Sequence, residues 1–262
     1  MLRSMYAGIS GMKGFQTKLD VIGNNIANVN TSGFKKGRAT FQDMMSQTMS
    51  GAQAPAGGRG GVNPIQVGLG SQVGTIDNIH TQGFLQTTSN PLDLAIEGDG
   101  MFAVTTPDGT AYTRSGNFYL DNNGDLVNAD GYFVQNSAGE KINIPDNAQS
   151  INIQKDGTVN FIDNDGTKSA GQIAIAMFSN PAGLDKIGSN LFLTTNNAGY
   201  NGLTTAETGG AGSIASGTLE MSNVDLAEEF TEMITAQRGF QANTRIITTS
   251  DEILQELVNL KR

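Results

Sequence analysis

A seven-residue spacing of apolar side chains dominates the last part of the chain. The spaced positions are Leu226, Met233, Phe240, Ile247 and Leu254, with Phe230 and Val258 beside them. Such a heptad places its side chains on one face of a helix and is typical of helices that supercoil around a partner. The run of roughly 29 residues predicts a helix about 43 Å long, at 1.5 Å per residue. A helix of that length needs an equally long partner.

The beginning of the chain has a related pattern, in steps of three, four and seven residues. Its apolar positions are Leu2, Met5, Ile9, Met12, Leu19 and Ile26. The pattern predicts a second amphipathic helix over about residues 2–28. Glycines at positions 8, 11 and 14 weaken such a helix by about 1 kcal/mol each relative to alanine. We therefore expect this helix to form only where tertiary or intermolecular contacts stabilise it.

The two terminal helices carry opposite charges. The basic residues of the first are Arg3, Lys13 and Lys18, and the acidic residues of the last are Glu228, Glu229, Glu232, Asp251, Glu252 and Glu256. Ser222 or Asn223 is expected to cap the last helix, with Asp225 in its first turn. One interpretation is a pair of core helices within a globular domain. The other takes the apolar positions as seams that join the chain to copies of itself.

Short alternating segments fill the middle of the chain. Over residues 90–193, turn signals such as Gly98-Asp99-Gly100 separate short runs of β-forming residues. This spacing is typical of antiparallel hairpins. The predicted fold class is therefore α+β, with a mainly antiparallel β domain inserted between two amphipathic helices that form a coiled-coil-like inner domain. The predicted domains are a helical core domain (1–45 and 217–262), an extended connector (46–89), the β domain (90–195) and a flexible connector (196–216).

Composition narrows the classes of function. The chain has 262 residues, a net charge of −9, 34 glycines and no cysteine. The acidic balance argues against nucleic-acid binding, because it offers no basic stripe for phosphates. No apolar run approaches the ~18 residues of a membrane span, and the first residues lack the apolar core of a classical signal peptide. We therefore expect no membrane insertion and, if the protein leaves the cell, another export route.

Residues suited to catalysis or metal binding are sparse. His80 is the only histidine, and no triad or metal-ligand spacing surrounds it, so we expect a solvated or hydrogen-bonded structural side chain. Residues 121–125 resemble a calcium loop only slightly, because their glycine is fourth rather than sixth. Residues 68–74 lack the GxGxxG spacing and are interpreted as strand and bend. We expect no cofactor, no metal and no enzymatic activity, which favours a structural role.

One segment is more specific than these general patterns. Residues 19–35 read Leu-Asp-Val-Ile-Gly-Asn-Asn-Ile-Ala-Asn-Val-Asn-Thr-Ser-Gly-Phe-Lys and resemble the N-terminal signature of the bacterial flagellar axial proteins, the rod and hook family. The signature positions are Asn24, Asn25, Asn28, Asn30, Gly33 and Phe34, and Gly23 stands where alanine is common. Residues 92–102 resemble the opening of the family's β domain, and residues 221–226 and 236–243 resemble its C-terminal signature. The order and spacing of these motifs match the family over essentially the whole chain.

The resemblance implies an assembling subunit of the flagellar hook–basal body, extracellular or within the cell envelope, that transmits motor torque. The terminal helices would form the inner core of a helical tube, with the β domain outside. Subunits would pass through the flagellar type III export apparatus, assemble beneath a cap chaperone, and contact copies of themselves and neighbouring rod, hook and junction proteins. Disordered ends would fold on joining the lattice. The signature asparagines would bond between subunits or, alternatively, close the helix end.

Alternatives remain at two levels. Within the family, the chain resembles both the distal rod protein and the short hook protein of Gram-positive bacteria, and its Leu-Val-Asn-Leu-Lys-Arg ending favours the hook. Outside the family, an adhesin-like binding β domain on a coiled-coil stalk would need an aromatic or charged cleft. The five tyrosines and twelve phenylalanines are scattered in the sequence without an evident cluster. A cell-wall glycan hydrolase would instead show activity in the monomer that depends on one or two acidic residues.

Overall fold

The computed structural model describes residues 2–55, 60–107, 109–145, 148–163 and 166–260. It divides into two compact units. The first comprises Met1–Ile26, Gly37–Asp77 and Asp225–Arg262, and the second comprises Ala27–Lys36 and Asn78–Val224. Neither terminal helix, nor the short helical turn in the described ranges, combines the length and apolar character needed to cross a bilayer.

The first unit is built on the two terminal helices. Its elements are α1 (Leu2–Ala27), β1 (Gly37–Asp43), β2 (Ser46–Ser50), β3 (Ile65–Gly68), β4 (Ser71–Asn78) and α2 (Leu226–Asn259). Strand β1 pairs with β4, and β2 pairs antiparallel with β3. The 26-residue α1 ends one residue before the predicted end, and the 34-residue α2 spans the whole heptad run. The prediction of two long terminal helices is therefore confirmed.

Helix α2 begins at a different cap from the one predicted. The side chain of Asp225 accepts a hydrogen bond of 2.8 Å from the backbone N–H of Ala227, so Asp225 is the N-cap. The prediction of Ser222 or Asn223 is wrong, because both residues lie before the helix. Asn223 uses its side-chain amide elsewhere, as a donor to the carbonyl oxygen of Ile79 at 2.8 Å.

The second unit is almost entirely β structure. Its elements are β5 (Leu85–Thr87), β6 (Leu94–Glu97), β7 (Met101–Thr106), β8 (Gly109–Thr113), β9 (Tyr119–Leu120), β10 (Leu126–Val127), β11 (Phe133–Val134), β12 (Ser150–Ile153), β13 (Thr158–Asp163), β14 (Gly166–Gln172), β15 (Ala174–Phe178), a 3-10 turn (Pro181–Gly183), β16 (Asp185–Gly188), β17 (Leu191–Leu193), β18 (Tyr200–Thr205), β19 (Ser213–Ser216) and β20 (Thr218–Glu220). Nine strands form one sheet in the order β16-β17-β8-β7-β11-β10-β9, with β15 joining β7 to β18. Smaller sheets are β12-β13-β14, β19-β6 and β20-β5. The antiparallel pairing confirms the predicted α+β class.

The core of the second unit lies on both faces of β7. Phe102 and Val104 belong to one apolar cluster, whereas Met101 and Ala103 belong to another. Successive side chains of a strand point to opposite faces, so a strand buried on both faces must be apolar throughout. The sequence Met-Phe-Ala-Val meets this requirement, which places β7 at the centre of the sheet.

Parts of the predicted connectors are also paired. Strand β18 lies within the predicted flexible connector, yet it pairs with β15, and β19 pairs with β6. Strands β2 to β5 lie within the predicted extended connector. Residues 66–88 alternate loosely and favour extended strand, whereas β2 is wholly exposed and β18 partly so, and a strand without a buried face carries no hydrophobic alternation to predict it. The predicted domain boundaries themselves stay a prediction.

Candidate assembly site

Helices α1 and α2 pack against each other in opposite directions within the first unit. Gly8 lies beside Ile247, and ten residues further along α1 the ammonium group of Lys18 is 3.0 Å from the carboxylate of Glu232. The numbering rises along one helix as it falls along the other, so the pair is antiparallel. Each helix therefore has its long partner in the same chain.

Small residues let the two helices approach closely. A methyl group added at Gly11 would lie 2.7 Å from the side-chain nitrogen of Asn243, and one at Gly239 would lie 2.5 Å from the ring of Phe15. Such distances are too short for carbon atoms in contact. Glycines that weaken α1 as an isolated helix are thus the residues that allow it to pack.

The most buried positions of α2 form a second heptad, three residues after the predicted one. Glu229, Ala236 and Ser250 are its buried residues, and Asn243 occupies the same row. A coiled-coil seam uses two such rows, spaced three and four residues apart. The sequence-based search missed this row because its members are small or polar, although their regular spacing was a usable signal.

The predicted seam residues flank this buried row. Those that are half-buried are Met5, Ile9, Met12, Leu19 and Ile26 on α1, and Met233, Phe240, Ile247 and Leu254 on α2. Leu226 and Phe230 are 40% and 49% exposed. The side chain of Leu2 lies outside the described residues. A role of these positions in contacts between subunits stays a prediction.

Other apolar side chains of α2 stay exposed after the helices have paired. Ile246 is 44% exposed, Ile253 47% and Leu257 49%, and their steps of seven and four residues place them on one stripe of the helix. An isolated exposed apolar residue is ordinary on a soluble protein, but a row along one helix indicates a surface that another molecule covers. The helix pair thus leaves an apolar surface available after its internal contacts are made.

Asn25, in the N-terminal signature, is buried inside the first unit. Its side-chain amide donates to the carbonyl oxygen of Gly37 at 2.9 Å, and its oxygen accepts the Gly37 N–H at 2.9 Å. The same amide also reaches the carboxylate of Glu229 on α2 at 3.2 Å. Asn25 therefore ties α1, the start of β1 and α2 together within one chain.

The three remaining signature asparagines lie in the last turn of α1 or just after it. The carbonyl oxygen of Asn28 accepts the N–H of Thr31 at 3.2 Å, and its side-chain oxygen accepts the Thr31 hydroxyl at 3.1 Å. This arrangement is the helix-closing role that the sequence offered as one alternative. Asn24 and Asn30 are exposed, and an intersubunit role for them stays a prediction.

Gly33 adopts a conformation that other residues rarely take. Its φ is +70°, and a methyl group there would lie 2.5 Å from the backbone nitrogen of Ser115. The Gly33 N–H donates to the carbonyl oxygen of Glu220 at 2.8 Å. Phe34, the next residue, is buried with its ring 4.8 Å from the ammonium group of Lys186.

A buried ion cluster, which the sequence did not predict, holds the end of the signature. The carboxylate of Glu220 accepts hydrogen bonds from Lys35 at 2.5 Å, from Arg114 at 2.6 Å and from the Gly83 N–H at 2.9 Å. The guanidinium of Arg114 also donates hydrogen bonds to the backbone carbonyl oxygens of Ile96, Gly98 and Gly100. We call Lys35, Arg114 and Glu220 the ion cluster.

Opposite charges stabilise the ionised form of Glu220. Burial alone would raise the pKa of its carboxyl group, but the charges of Arg114 and Lys35 and their hydrogen bonds hold that pKa below its usual value. The side chains of Glu220 and Lys35 are 0% and 2% exposed, so solvent does not screen the pair. Removing one partner of such a pair leaves an uncompensated buried charge and typically costs about 3–5 kcal/mol.

Asn223, in the C-terminal signature, bonds to two other segments of the second unit. Its side-chain oxygen accepts the Lys36 N–H at 2.8 Å, and its amide donates to the carbonyl oxygen of Ile79 at 2.8 Å. Ile79 in turn donates its N–H to the carbonyl oxygen of Lys36 at 2.9 Å. Segments that are far apart in sequence are thus joined by one amide side chain.

His80 differs from its expected state. Both of its ring nitrogens are buried without a hydrogen-bond partner, so the expectation of a solvated or hydrogen-bonded ring is wrong. Burial, with the nearby charges of Lys35, Lys186 and Arg114, lowers the pKa of His80 to about 4. Within the described ranges, no three His, Asp or Glu side chains are grouped to hold a metal ion.

Three aromatic rings that are distant in sequence come together in the second unit. The rings of Tyr112, Phe178 and Tyr200 lie 4.9 to 5.7 Å apart. The impression of scattered aromatic residues is therefore wrong at this place. Tyr112 is buried, Tyr200 is 45% exposed, and Phe178 also lines a cavity of about 200 Å³ with Lys35 and His80.

Comparisons with known proteins agree with these motifs. Three protein-family models match the chain. The family described as "Flagella basal body rod protein" matches residues 5–35, and the "Flagellar hook protein FlgE/F/G D1 domain" matches residues 95–161. The "Flagellar basal body rod FlgEFG protein C-terminal" matches residues 215–260. These three segments include the N-terminal signature, the central strands β7 and β8, and the whole of α2.

Relatives match over the full length of the chain. The chain is 62% identical to the flagellar basal-body rod protein FlgG of Bacillus subtilis over 264 residues, with 100% of both chains covered. It is 43% identical to FlgG of Borreliella burgdorferi over 269 residues, and 31% identical to the flagellar hook protein FlgE of the same organism over 441 residues, again with 100% of each chain covered. The chain therefore belongs to the family of flagellar basal-body rod and hook proteins.

Proposed function

We propose that this protein is a structural subunit of the flagellar hook–basal body that assembles with copies of itself into a helical tube. The observation that carries the proposal is the apolar surface of α2, which remains exposed after α1 and α2 have paired. Ile246, Ile253 and Leu257 are each about half exposed on it. Burying such side chains contributes about 25 cal/mol per Å² of apolar area, so a tubular lattice offers a strong driving force.

The distal rod is the position that the relatives favour. The FlgG relatives, at 62% and 43% identity, are named basal-body rod proteins, whereas the FlgE relative shares 31% and extends over a longer alignment. This reverses the preference for the hook that the last residues of the sequence suggested. A rod subunit transmits torque along a stiff shaft and need not bend.

The partners follow from that position. We infer contacts with copies of this chain, with neighbouring rod, hook and junction proteins, with a cap chaperone and with the type III export apparatus. A structural role needs neither a cofactor nor catalysis. The separate hydrogen-bond networks of the ion cluster and of Asn25 give the chain a defined fold before its apolar surface is covered.

An exposed apolar residue provides the direct test of assembly. We expect Ile253→Asp to abolish pelleting of polymers in ultracentrifugation and to abolish motility of cells that carry it, because it places a charge in the buried seam between subunits. Gln241→Asp is the matched control, since Gln241 is an exposed polar residue of the same helix and receives the same charge. Far-UV circular dichroism should show equal helix content for both variants. Normal polymers of Ile253→Asp would contradict the proposed surface.

Microscopy separates the two positions in the flagellum. Purified hook–basal bodies would be labelled with gold-conjugated antibody against the second unit. Label along the straight shaft identifies a distal rod subunit, and label along the curved external segment identifies a hook subunit. Absence of label from both would remove the axial assignment altogether.

A further inference from the structure

His80 lies beside the ion cluster and lines the same cavity as Lys35 and Arg114. Its ring packs against the ring of Phe192 at 5.7 Å, and neither ring nitrogen has a hydrogen-bond partner. A neutral imidazole tolerates this apolar contact. An imidazolium has two N–H donors to satisfy, and burying an unpaired charge is among the most expensive changes a protein interior can undergo.

The charged groups around His80 are mostly of one sign. Lys35, Arg114 and Lys186 raise the positive potential at its ring. Glu220 supplies one negative charge, but its oxygens are already shared by Lys35, Arg114 and the Gly83 N–H. Asp99 lines the same cavity of about 200 Å³ as His80, Lys35 and Arg114, and its side chain is exposed to solvent. A proton on His80 would thus join an excess of positive charge.

The ion cluster is also the place where both ends of the second unit meet. Lys35 belongs to the N-terminal signature and Glu220 to β20, and they are 185 residues apart in sequence. Gly33 bonds to the backbone of Glu220, and Met221 bonds to the backbone of Phe84. Whatever weakens the ion cluster therefore loosens three segments together: 31–36, 81–85 and 218–221.

We propose that His80 is an acid-sensitive trigger for this junction: its protonation repels Lys35 and Arg114, weakens their hold on Glu220, and releases segments 31–36 and 218–221 from the rest of the second unit. At neutral pH the uncharged ring packs on Phe192 and the junction is closed. The device is independent of the proposed assembly role, because it acts within one chain.

His80 and the carboxylates with lowered pKa affect stability in different pH ranges. His80 should act between its ordinary pKa of 6.5 and its lowered value of about 4. Across this range the unfolded or opened chain binds a proton that the closed one does not, so closure weakens as pH falls. The carboxylates with lowered pKa have ordinary values of 3.8 (Asp77, Asp125 and Asp156) and 4.5 (Glu220), so they contribute mainly at the acid end of this range and below it, and a variant that lacks only His80 keeps their contribution.

Hydrogen–deuterium exchange of the full chain tests the proposal. Between pH 6.5 and 4, after correction for intrinsic exchange, opening of peptides covering 31–36, 81–85 and 218–221 should rise by up to about 80-fold, the factor that proton linkage gives between these two pH values for a pKa of 6.5 in the open state and about 4 in the closed state. Strand β13, away from the junction, serves as the internal reference and should stay protected. In His80→Phe, which keeps a ring against Phe192 and has no titratable proton, the junction peptides should show no such rise.

A spectroscopic measurement covers the case in which His80→Phe folds poorly. His80 is the only histidine, so a single imidazole signal in a proton NMR titration reports it without further assignment. The signal should titrate far below 6.5 and in step with the exchange of the junction peptides. A titration near 6.5 with the junction still protected would overturn the proposal. So would an unchanged acid response in a folded His80→Phe or His80→Gln variant.

Discussion

Replacing Gly33 with alanine should destabilise the second unit more than the same replacement at Gly131. Both glycines are in the left-handed region, with φ of +70° and +82°. A methyl group at Gly33 would lie 2.5 Å from the backbone nitrogen of Ser115 and 2.7 Å from the carbonyl carbon of Arg114. At Gly131 it would meet no atom within 4 Å. The pair thus separates steric overlap from backbone conformation.

The expected magnitudes follow from these distances. The left-handed conformation costs alanine about 1–2 kcal/mol at either site. Loss of flexibility in the unfolded chain offsets about 0.4–1 kcal/mol equally in both variants, so it cancels in the comparison. Overlap with rigid backbone adds about 1–3 kcal/mol at Gly33 alone. Gly33→Ala should therefore be less stable than Gly131→Ala by about 1–3 kcal/mol.

Native-state hydrogen exchange of the β7 amides is the suitable assay. The chain has no tryptophan, and its two units need not unfold together, so a single global fluorescence or melting curve would not isolate the second unit. Amides of the central strand β7 exchange only when that unit opens. Equal opening free energies for Gly33→Ala and Gly131→Ala would refute the close contact with Ser115.

Two further predictions concern packing and pH. Gly239→Ala should leave the helix pair about 1–3 kcal/mol less stable than Gly23→Ala, because both gain the helix propensity of alanine but only the methyl group at position 239 meets the ring of Phe15. Urea unfolding followed by the helix signal in far-UV circular dichroism measures this difference, because both long helices belong to the first unit. Equal effects would contradict the close helix contact. Hydrogen bonds from Lys141 and Asn143 hold the pKa of Asp125 below its ordinary 3.8. The stabilisation of the folded chain by the ionised carboxylate is therefore present above pH 3.8 and is lost as pH falls. Lys141→Met should reduce the free energy of unfolding at pH 7 and reduce it much less at pH 3, and an equal loss at both pH values would exclude the ion pair as the cause.

The helices could be predicted from the sequence, but the face on which they pair could not. A heptad of Leu, Met, Phe and Ile is visible as hydrophobic periodicity, and it gave the position and length of α2. The row that α1 covers most completely consists of Glu229, Ala236, Asn243 and Ser250. Close approach of two helices selects small side chains, which carry little hydrophobic signal. The hydrophobic pattern therefore predicted residues within one helical turn of the contact with α1, but it did not predict the buried row at the middle of that contact.

Hydrophobic periodicity could not predict the contacts between segments that are distant in sequence. Nothing near Lys35 in the sequence indicates that its ammonium group pairs with Glu220. Glu220 reaches this position because β20 pairs with β5, and Arg114 reaches it because it follows directly after β8. The same holds for Asn25, whose partner Glu229 looked like an ordinary acidic residue in the first turn of α2. These charged and amide side chains look ordinary in the sequence, and only their burial in the fold shows that they hold distant segments together.

The N-terminal signature and the proposed assembly surface are therefore different parts of the molecule. Asn25 bonds to Gly37 and Glu229, Gly33 to Glu220, and Asn28 closes α1, so these signature residues act within one chain. The exposed apolar residues Ile246, Ile253 and Leu257 of α2 lie outside both signatures. A rod protein and a hook protein can share the first set because both need the same fold. What distinguishes a stiff shaft from a bendable tube must then arise from residues on the exposed surfaces, where substitutions change contacts between subunits and leave the chain's own hydrogen bonds intact.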